Sequence, residues 1–135
     1  MERFLGKYAE FIYAALRVVV GFLFACHGAQ KLFGVLGGHS ELDDPLGLAA
    51  GIIELFGGSM IALGLLAGYA AFIASGEMAV AYFKAHAPHG FWPIMNHGEL
   101  AALYCWVFLY IAAHGSGPYS LDAVFGIRRR PSPFG

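Results

Sequence analysis

Four runs of apolar residues dominate this chain, at about 8–33, 46–67, 69–85 and 98–114. A helix that crosses a bilayer needs about 20 mostly apolar residues, within a range of about 17–25. The first two runs meet that length outright, and the third and fourth sit at its short end. In hydrocarbon the backbone has no water to bond with, and only a helix satisfies its own hydrogen bonds segment by segment. The sequence therefore predicts an all-α fold: an integral membrane four-helix antiparallel bundle. It forms a single domain over residues 1–135, with a polar C-terminal tail at 115–135.

Composition agrees with that reading. Hydrophobic residues make up 59% of the chain and charged residues 13%, against roughly 25% charged in ordinary soluble domains. The formal net charge of -1 gives no footprint for an acidic or basic partner, and no nucleic acid is expected. The first apolar run is longer than the core of a signal peptide, about 7–15 residues, and no small-residue cleavage site follows it, so it is expected to be retained. Glycine is abundant, at 19 residues, much of it within the spans, as is common in membrane helices.

The connections differ in character. The first, 34–45, is acidic, and its Asp43-Asp44-Pro45 stretch reads as a capped helix start. The second is a bare turn at Gly68, so the second and third helices form a tight hairpin. The third, 86–97, carries His86, His89 and His97, with Phe91 and Trp92 suited to a membrane interface. Arg3 and Lys7 precede the first span, and Arg128, Arg129 and Arg130 follow the last. The positive-inside rule then places both termini in the cytoplasm and the protein in the cell inner membrane as a multi-pass chain.

Ionisable residues inside these runs mark the candidate site. An ionisable group at membrane depth faces the bundle interior, finds a partner and signals function by default. A helical rise of about 1.5 Å per residue puts Arg17 about 10 Å up the first helix and Glu77 about 12 Å up the third. Glu54 descends about 12 Å along the second, leaving it about 6 Å above the other two. An Arg fork can bind carboxylate across such a gap. Arg17, Glu54 and Glu77 are thus expected to form one mid-membrane layer and to carry the chemistry. His27, Lys31 and Glu99 lie higher, as an outer layer. Three carboxylates against one buried arginine leave a surplus, so one carboxyl is expected to hold a proton.

The faces are consistent with this arrangement. At about 100° per residue, Arg17, His27 and Lys31 share one stripe of the first helix, together with Gly21, Phe24 and Gly28. In the second, Gly47, Gly51, Glu54 and Gly58 share another. Gly47–Gly51 and Gly64–Gly68 have the spacing that lets helices approach closely. The loop histidines match no specific metal spacing, and no metal or haem site is expected. Cys26 points away from Arg17 and, with Cys105, reads as an inert apolar residue.

These residues resemble a known family. RVVVGFLFACHGAQKLFG at 17–34, GIIELFGG at 51–58, GEMAVAYF at 76–83, FWPIMNHGELA at 91–101 and GPYSLD at 117–122 are similar, in order, to the DoxX pattern. The resemblance implies a small membrane protein of four spanning helices described as an oxidoreductase. It also implies kinship with the membrane subunit of thiosulfate:quinone oxidoreductase. Arg17, His27, Gln30, Lys31, Glu54, Glu77 and Glu99 fall on the family's recurrent polar positions.

Three readings of function follow. In the first, the chain is a quinone-linked oxidoreductase subunit. Glu54 and Glu77 exchange protons with a bound quinone, Arg17 steadies an oxygen, and His27, Gln30, Lys31 and Glu99 bind the ring. A soluble redox partner protein supplies electrons. In the second, the chain is a non-catalytic membrane scaffold whose cluster only fixes packing and whose loops recruit a partner. In the third, it is a small-solute or proton pathway, which at four spans per copy requires a homo-oligomer in the lipid bilayer.

Overall fold

The computed structural model describes residues 3–127, and among them it is helical with no strand. The tail arginines Arg128, Arg129 and Arg130 lie outside the described residues.

Four long helices carry the fold. Helix α1 (Ala9–Phe33) is apolar along its length and stops at Gly34, whose φ of 65° lets its N–H reach back to the Gln30 carbonyl at 3.0 Å. That left-handed residue just past the last turn is a common helix terminator. Helix α2 (Pro45–Leu63) begins as expected, with Asp44 accepting from the Leu46 N–H at 3.2 Å and Pro45 in the first turn. It contains a π-helical stretch at Ile53–Gly57. Helix α3 (Ala67–Ala81) continues into a second π stretch, Tyr82–His86. Helix α4 covers Glu99–His114. Short helical turns at Pro93–Asn96 and Leu121–Val124 fill the third connection and the tail.

The turn between α2 and α3 departs from expectation. The second run was expected to stay helical through residue 67 and to turn at Gly68; instead α2 ends at Leu63, and Gly68 lies in the first turn of α3. The chain reverses at Gly64 and Leu66, with φ of 72° and 48°. A left-handed leucine is costly for an L residue. It is held by Asp122, whose two carboxylate oxygens both accept from the Leu66 N–H at 3.0 Å.

Helices α1 and α2 pack antiparallel at backbone contact. A methyl group on Gly21 would meet the Ala62 nitrogen at 2.5 Å and the Gly58 carbonyl oxygen at 2.6 Å. One on Gly28 would strike the Leu55 nitrogen, and one on Gly51 would lie 2.8 Å from the Leu32 side chain. The expected glycine pairs are only partly used. Gly51 meets α1, but Gly47 faces Glu41 of the first connection, and Gly64 packs on Ser120 of the tail. Helix α3 packs along α2 on one side and α4 on the other. Rings close the circuit from α4 to α1: Phe24 lies 4.6 Å from Phe108 and 5.4 Å from Tyr104, centroid to centroid.

The core inside this circuit is small and apolar, with Phe24, Ile61, Ala71, Ala74, Phe108 and Ile111 all buried. Large apolar side chains also cover the outside. Phe22, Phe72, Val80, Leu103 and Trp106 are each more than 60% exposed, at 61%, 67%, 64%, 63% and 70%.

Substituting Gly28→Ala forces a methyl group into the α2 backbone and is expected to cost about 1–3 kcal/mol, the usual range for overpacking. Gly76→Ala has nothing within 4 Å of the new methyl and should instead stabilise by about 0.5–1 kcal/mol, because alanine is the better helix residue. Unfolding of the purified protein distinguishes the two signs.

Candidate functional site

The last turn of α1 carries Lys31, and its ammonium reaches Glu54 Oε1 at 2.5 Å. Glu54 sits in the first π stretch of α2 and is almost completely buried. A π turn inserts one residue into the helix and re-aims the side chains beside it, and such turns are frequent at functional sites. Gly28 makes the approach possible, since its missing side chain leaves room for the Glu54–Leu55 backbone. Helix α3 contributes a second, half-buried carboxyl, Glu77.

One oxygen of each carboxyl, Glu54 Oε2 and Glu77 Oε2, is buried without a hydrogen-bond partner. Two carboxylates against one ammonium would leave a buried, uncompensated charge, which is costly. A proton on one of the two carboxyls would neutralise the trio.

The ion pair borders a cavity of about 250 Å³. Its polar lining is His27, Lys31, Glu54, Tyr104, His86 and His97, and Phe24, Met78, Ala81, Leu100 and Ala101 make it greasy. The His27 ring stands edge-on to Tyr104, 6.2 Å between centroids. His86 and His97 come from the third connection, which buried Asn96 ties down. The Asn96 amide donates to the Gly90 carbonyl at 2.9 Å and to the Tyr82 hydroxyl at 3.3 Å, and its own carbonyl accepts from the Gly98 N–H at 2.8 Å. His86 Nδ1 lies 3.1 Å from the Asn96 backbone oxygen. Sequence reasoning passed over Asn96; its signal is a lone amide between Met95 and the His97-Gly98 helix start.

Arg17 is not part of this group. Its Nε donates to the Ile61 carbonyl at 2.9 Å, Nη2 to the Tyr119 carbonyl at 2.8 Å, and Nη1 to the Ser116 carbonyl. The expected layer of Arg17, Glu54 and Glu77 is thus split between two places. The cause is the end of α2: the last carbonyls of a helix have no intrahelical donor and carry partial negative charge. A guanidinium with five donors can satisfy those and the tail carbonyls together. Lys31, closer to Glu54 along the fold, takes the carboxylate instead. Asp122 completes the plug by accepting from Ser116 Oγ at 2.6 Å.

The remaining sequence candidates separate cleanly. His27 and Lys31 line the cavity, whereas Glu99 is exposed in the first turn of α4 and is absent from the cavity lining. Gln30 donates to the Leu36 carbonyl at 2.9 Å and so braces the first connection. His39 and His89 are exposed. Among the described residues no three His, Cys, Asp or Glu gather as a metal-binding set. Cys26 and Cys105 are both free thiols.

Comparison with known proteins gives two matches of use. The DoxX family profile matches residues 12–87. A Haemophilus influenzae protein that carries the name "Uncharacterized protein" is 44% identical over 128 residues, which cover 90% of this chain and 96% of that protein. No solved structure matches.

Removing the Lys31 ammonium by Lys31→Met strands a buried carboxylate and is expected to destabilise by about 3–5 kcal/mol. The double variant Lys31→Met, Glu54→Gln should recover most of that loss in a double-mutant cycle of unfolding. Arg17→Met removes the guanidinium from the carbonyls of Ile61, Ser116 and Tyr119, of which Ile61 keeps the Gly64 N–H, and a hydrogen bond to a charged group is worth about 1.5–3 kcal/mol. A sharp fall in folded yield is expected, partly restored by Arg17→Lys.

Proposed function

We propose a function from one premise: this chain belongs to the DoxX family. It forms a membrane-spanning antiparallel four-helix bundle in the cell inner membrane. The cavity beside Glu54 binds the head of a quinone and exchanges protons with it, as part of a quinone-linked oxidoreductase.

Two helical stretches support the membrane setting by length and hydropathy, Gly6–Phe33 and Pro45–Leu63. The apolar side chains on the outside of the helices support it further, because a soluble monomer rarely exposes so large an apolar surface. Arg3 and Lys7 precede α1, which favours cytoplasmic termini by the positive-inside rule.

The observation that carries the reading is the Glu54 carboxyl, paired with Lys31 and with one unpartnered oxygen, at a cavity with apolar walls, while Glu77 adds a second unpartnered oxygen outside the lining. The cavity, at about 250 Å³, falls just below the range of about 300–1,000 Å³ usual for sites that enclose a drug-sized ligand. It suits a single ring whose tail stays outside among the helices. The donors and acceptors around it suit a ring with oxygens at its edge. A quinone, when bound, accepts two electrons and two protons to become the quinol.

The residues of the chain do the rest. Lys31 and His27 donate hydrogen bonds to a ring oxygen. Glu54 and Glu77 hold a proton between them and pass it on within hydrogen-bond reach, as general acid–base groups must. Phe24, Met78 and Leu100 exclude water from the ring faces. Electrons come from a redox partner protein with its own reductant. Arg17, bonded to backbone carbonyls at the far end, favours the scaffold reading for that residue and fixes the bundle closed.

Titrating the purified protein in lipid nanodiscs with short-tailed benzoquinone and naphthoquinone tests the proposal. Binding by the wild type and at least a tenfold loss in Glu54→Gln are expected, with Gly76→Ala unchanged. Equal affinity in Glu54→Gln, or no binding by the wild type, overturns it.

A further inference from the structure

The carboxyl pair and the Arg17 plug stand at opposite ends of the same bundle, and what separates them decides which water the site can reach. We infer that the Glu54–Glu77 site communicates with one aqueous face only, the face carrying residues 86–97. The chain is then a one-sided proton and ligand site and not a conduit across the bilayer. This rests on the membrane-spanning reading above.

The open end is defined by the cavity mouth. His86 and His97 of the third connection line it, and the Lys31 side chain is 30% exposed while its partner Glu54 is 2% exposed. The ammonium is thus the accessible member of the pair, and the carboxylate lies behind it.

The other direction is shut twice. Ile61 lies seven residues beyond Glu54 in α2, about 10 Å of helix at about 1.5 Å per residue. Phe24, Ile61, Ala74 and Phe108 fill that depth, at 1%, 0%, 0% and 0% exposure. The buried hydroxyl at this depth, Ser75, donates to the Cys105 carbonyl of α4 and bonds to neither carboxyl nor to Arg17, so the layer holds no continuous hydrogen-bonded chain for a proton. Beneath it the Arg17 guanidinium spends its Nε and both terminal nitrogens on carbonyls, and its fixed positive charge repels a proton or cation arriving from that side. A larger surface hollow does exist at this end, walled by residues of the α2–α3 turn and the tail such as Leu66, Ser116, Asp122 and Ile127, but it shares no lining residue with the cavity.

The native lysines give the test without any substitution. Lys7 precedes α1, Lys84 lies at the cavity end of α3, and Lys31 lines the cavity. Sealed vesicles of the wild-type protein are treated on either face with a membrane-impermeant amine-reactive ester and read by mass spectrometry. Lys31 is expected to react from the face that modifies Lys84 and to be untouched from the face that modifies Lys7. Reaction of Lys31 from the Lys7 face, from both faces or from neither overturns the inference. Modification of Lys7 and Lys84 from one and the same face instead overturns the membrane-spanning arrangement, and so separates the two failures.

A second measurement probes the dry layer itself. In a Cys26→Ser, Cys105→Ser background, a thiol at Ala81→Cys, on the cavity wall, should react with an impermeant maleimide from the Lys84 face. A thiol at Ala74→Cys should resist it from both faces. Labelling of Ala74→Cys within tenfold of the Ala81→Cys rate shows a water path and removes the inference.

Discussion

Everything in this fold depends on α1 and α2 touching at the backbone. Gly21 against Gly58 and Ala62, and Gly28 against Leu55, bring the two helices closer than any side chain would permit. In the membrane-spanning setting proposed above, helix association brings no hydrophobic gain, and close van der Waals packing of this kind replaces it. The same contact sets the chemistry. It presses the last turns of α1 onto the π stretch of α2, and so delivers Lys31 to a carboxylate that would otherwise be buried alone.

The two ends of the bundle use charge in opposite ways. At the tail end every donor on Arg17 that the structure employs goes to a backbone carbonyl, and Asp122 answers the exposed amide of Leu66. Those groups satisfy the loose ends of helices and hold the turn closed. At the cavity end Lys31 pairs with Glu54, and one oxygen each of Glu54 and Glu77 is left over. A fully satisfied network rigidifies, whereas a partly satisfied one is a place where a ligand or a proton lowers the energy.

Much of this was legible in the chain itself. Apolar runs located all four helices to within a few residues, and Asp44-Pro45 marked the start of α2. The stripe on the first helix put His27 and Lys31 on one face, and the stripe on the second put Glu54 with the glycines, because a helical period of about 3.6 residues fixes direction well; the pairing of Lys31 with Glu54 was not foreseen, since the two were assigned to different layers. What escaped was set by backbone or by distant partners. The carbonyls that capture Arg17 leave no trace in residue type. Leu66 turns left-handed only because Asp122, 56 residues on, accepts its N–H. The π stretch at Ile53–Gly57 moves Glu54 off the regular period, and no residue in IELFG announces it. Gln30 and Glu99 fell on plausible faces, yet one braces a connection and the other meets solvent.

The outward placement of the large aromatics has an optical consequence. The chain has 2 tryptophans, Trp92 and Trp106, at 62% and 70% exposure, and neither lines the cavity. Ultraviolet-excited emission from this protein therefore registers the medium around the helices, lipid or detergent. The cavity itself is nearly silent, its one fluorophore being Tyr104, stacked within 4° of the Phe108 plane. A dark ligand entering there would quench the indoles only through long-range energy transfer, which makes the size of the quench a ruler from the site to the perimeter.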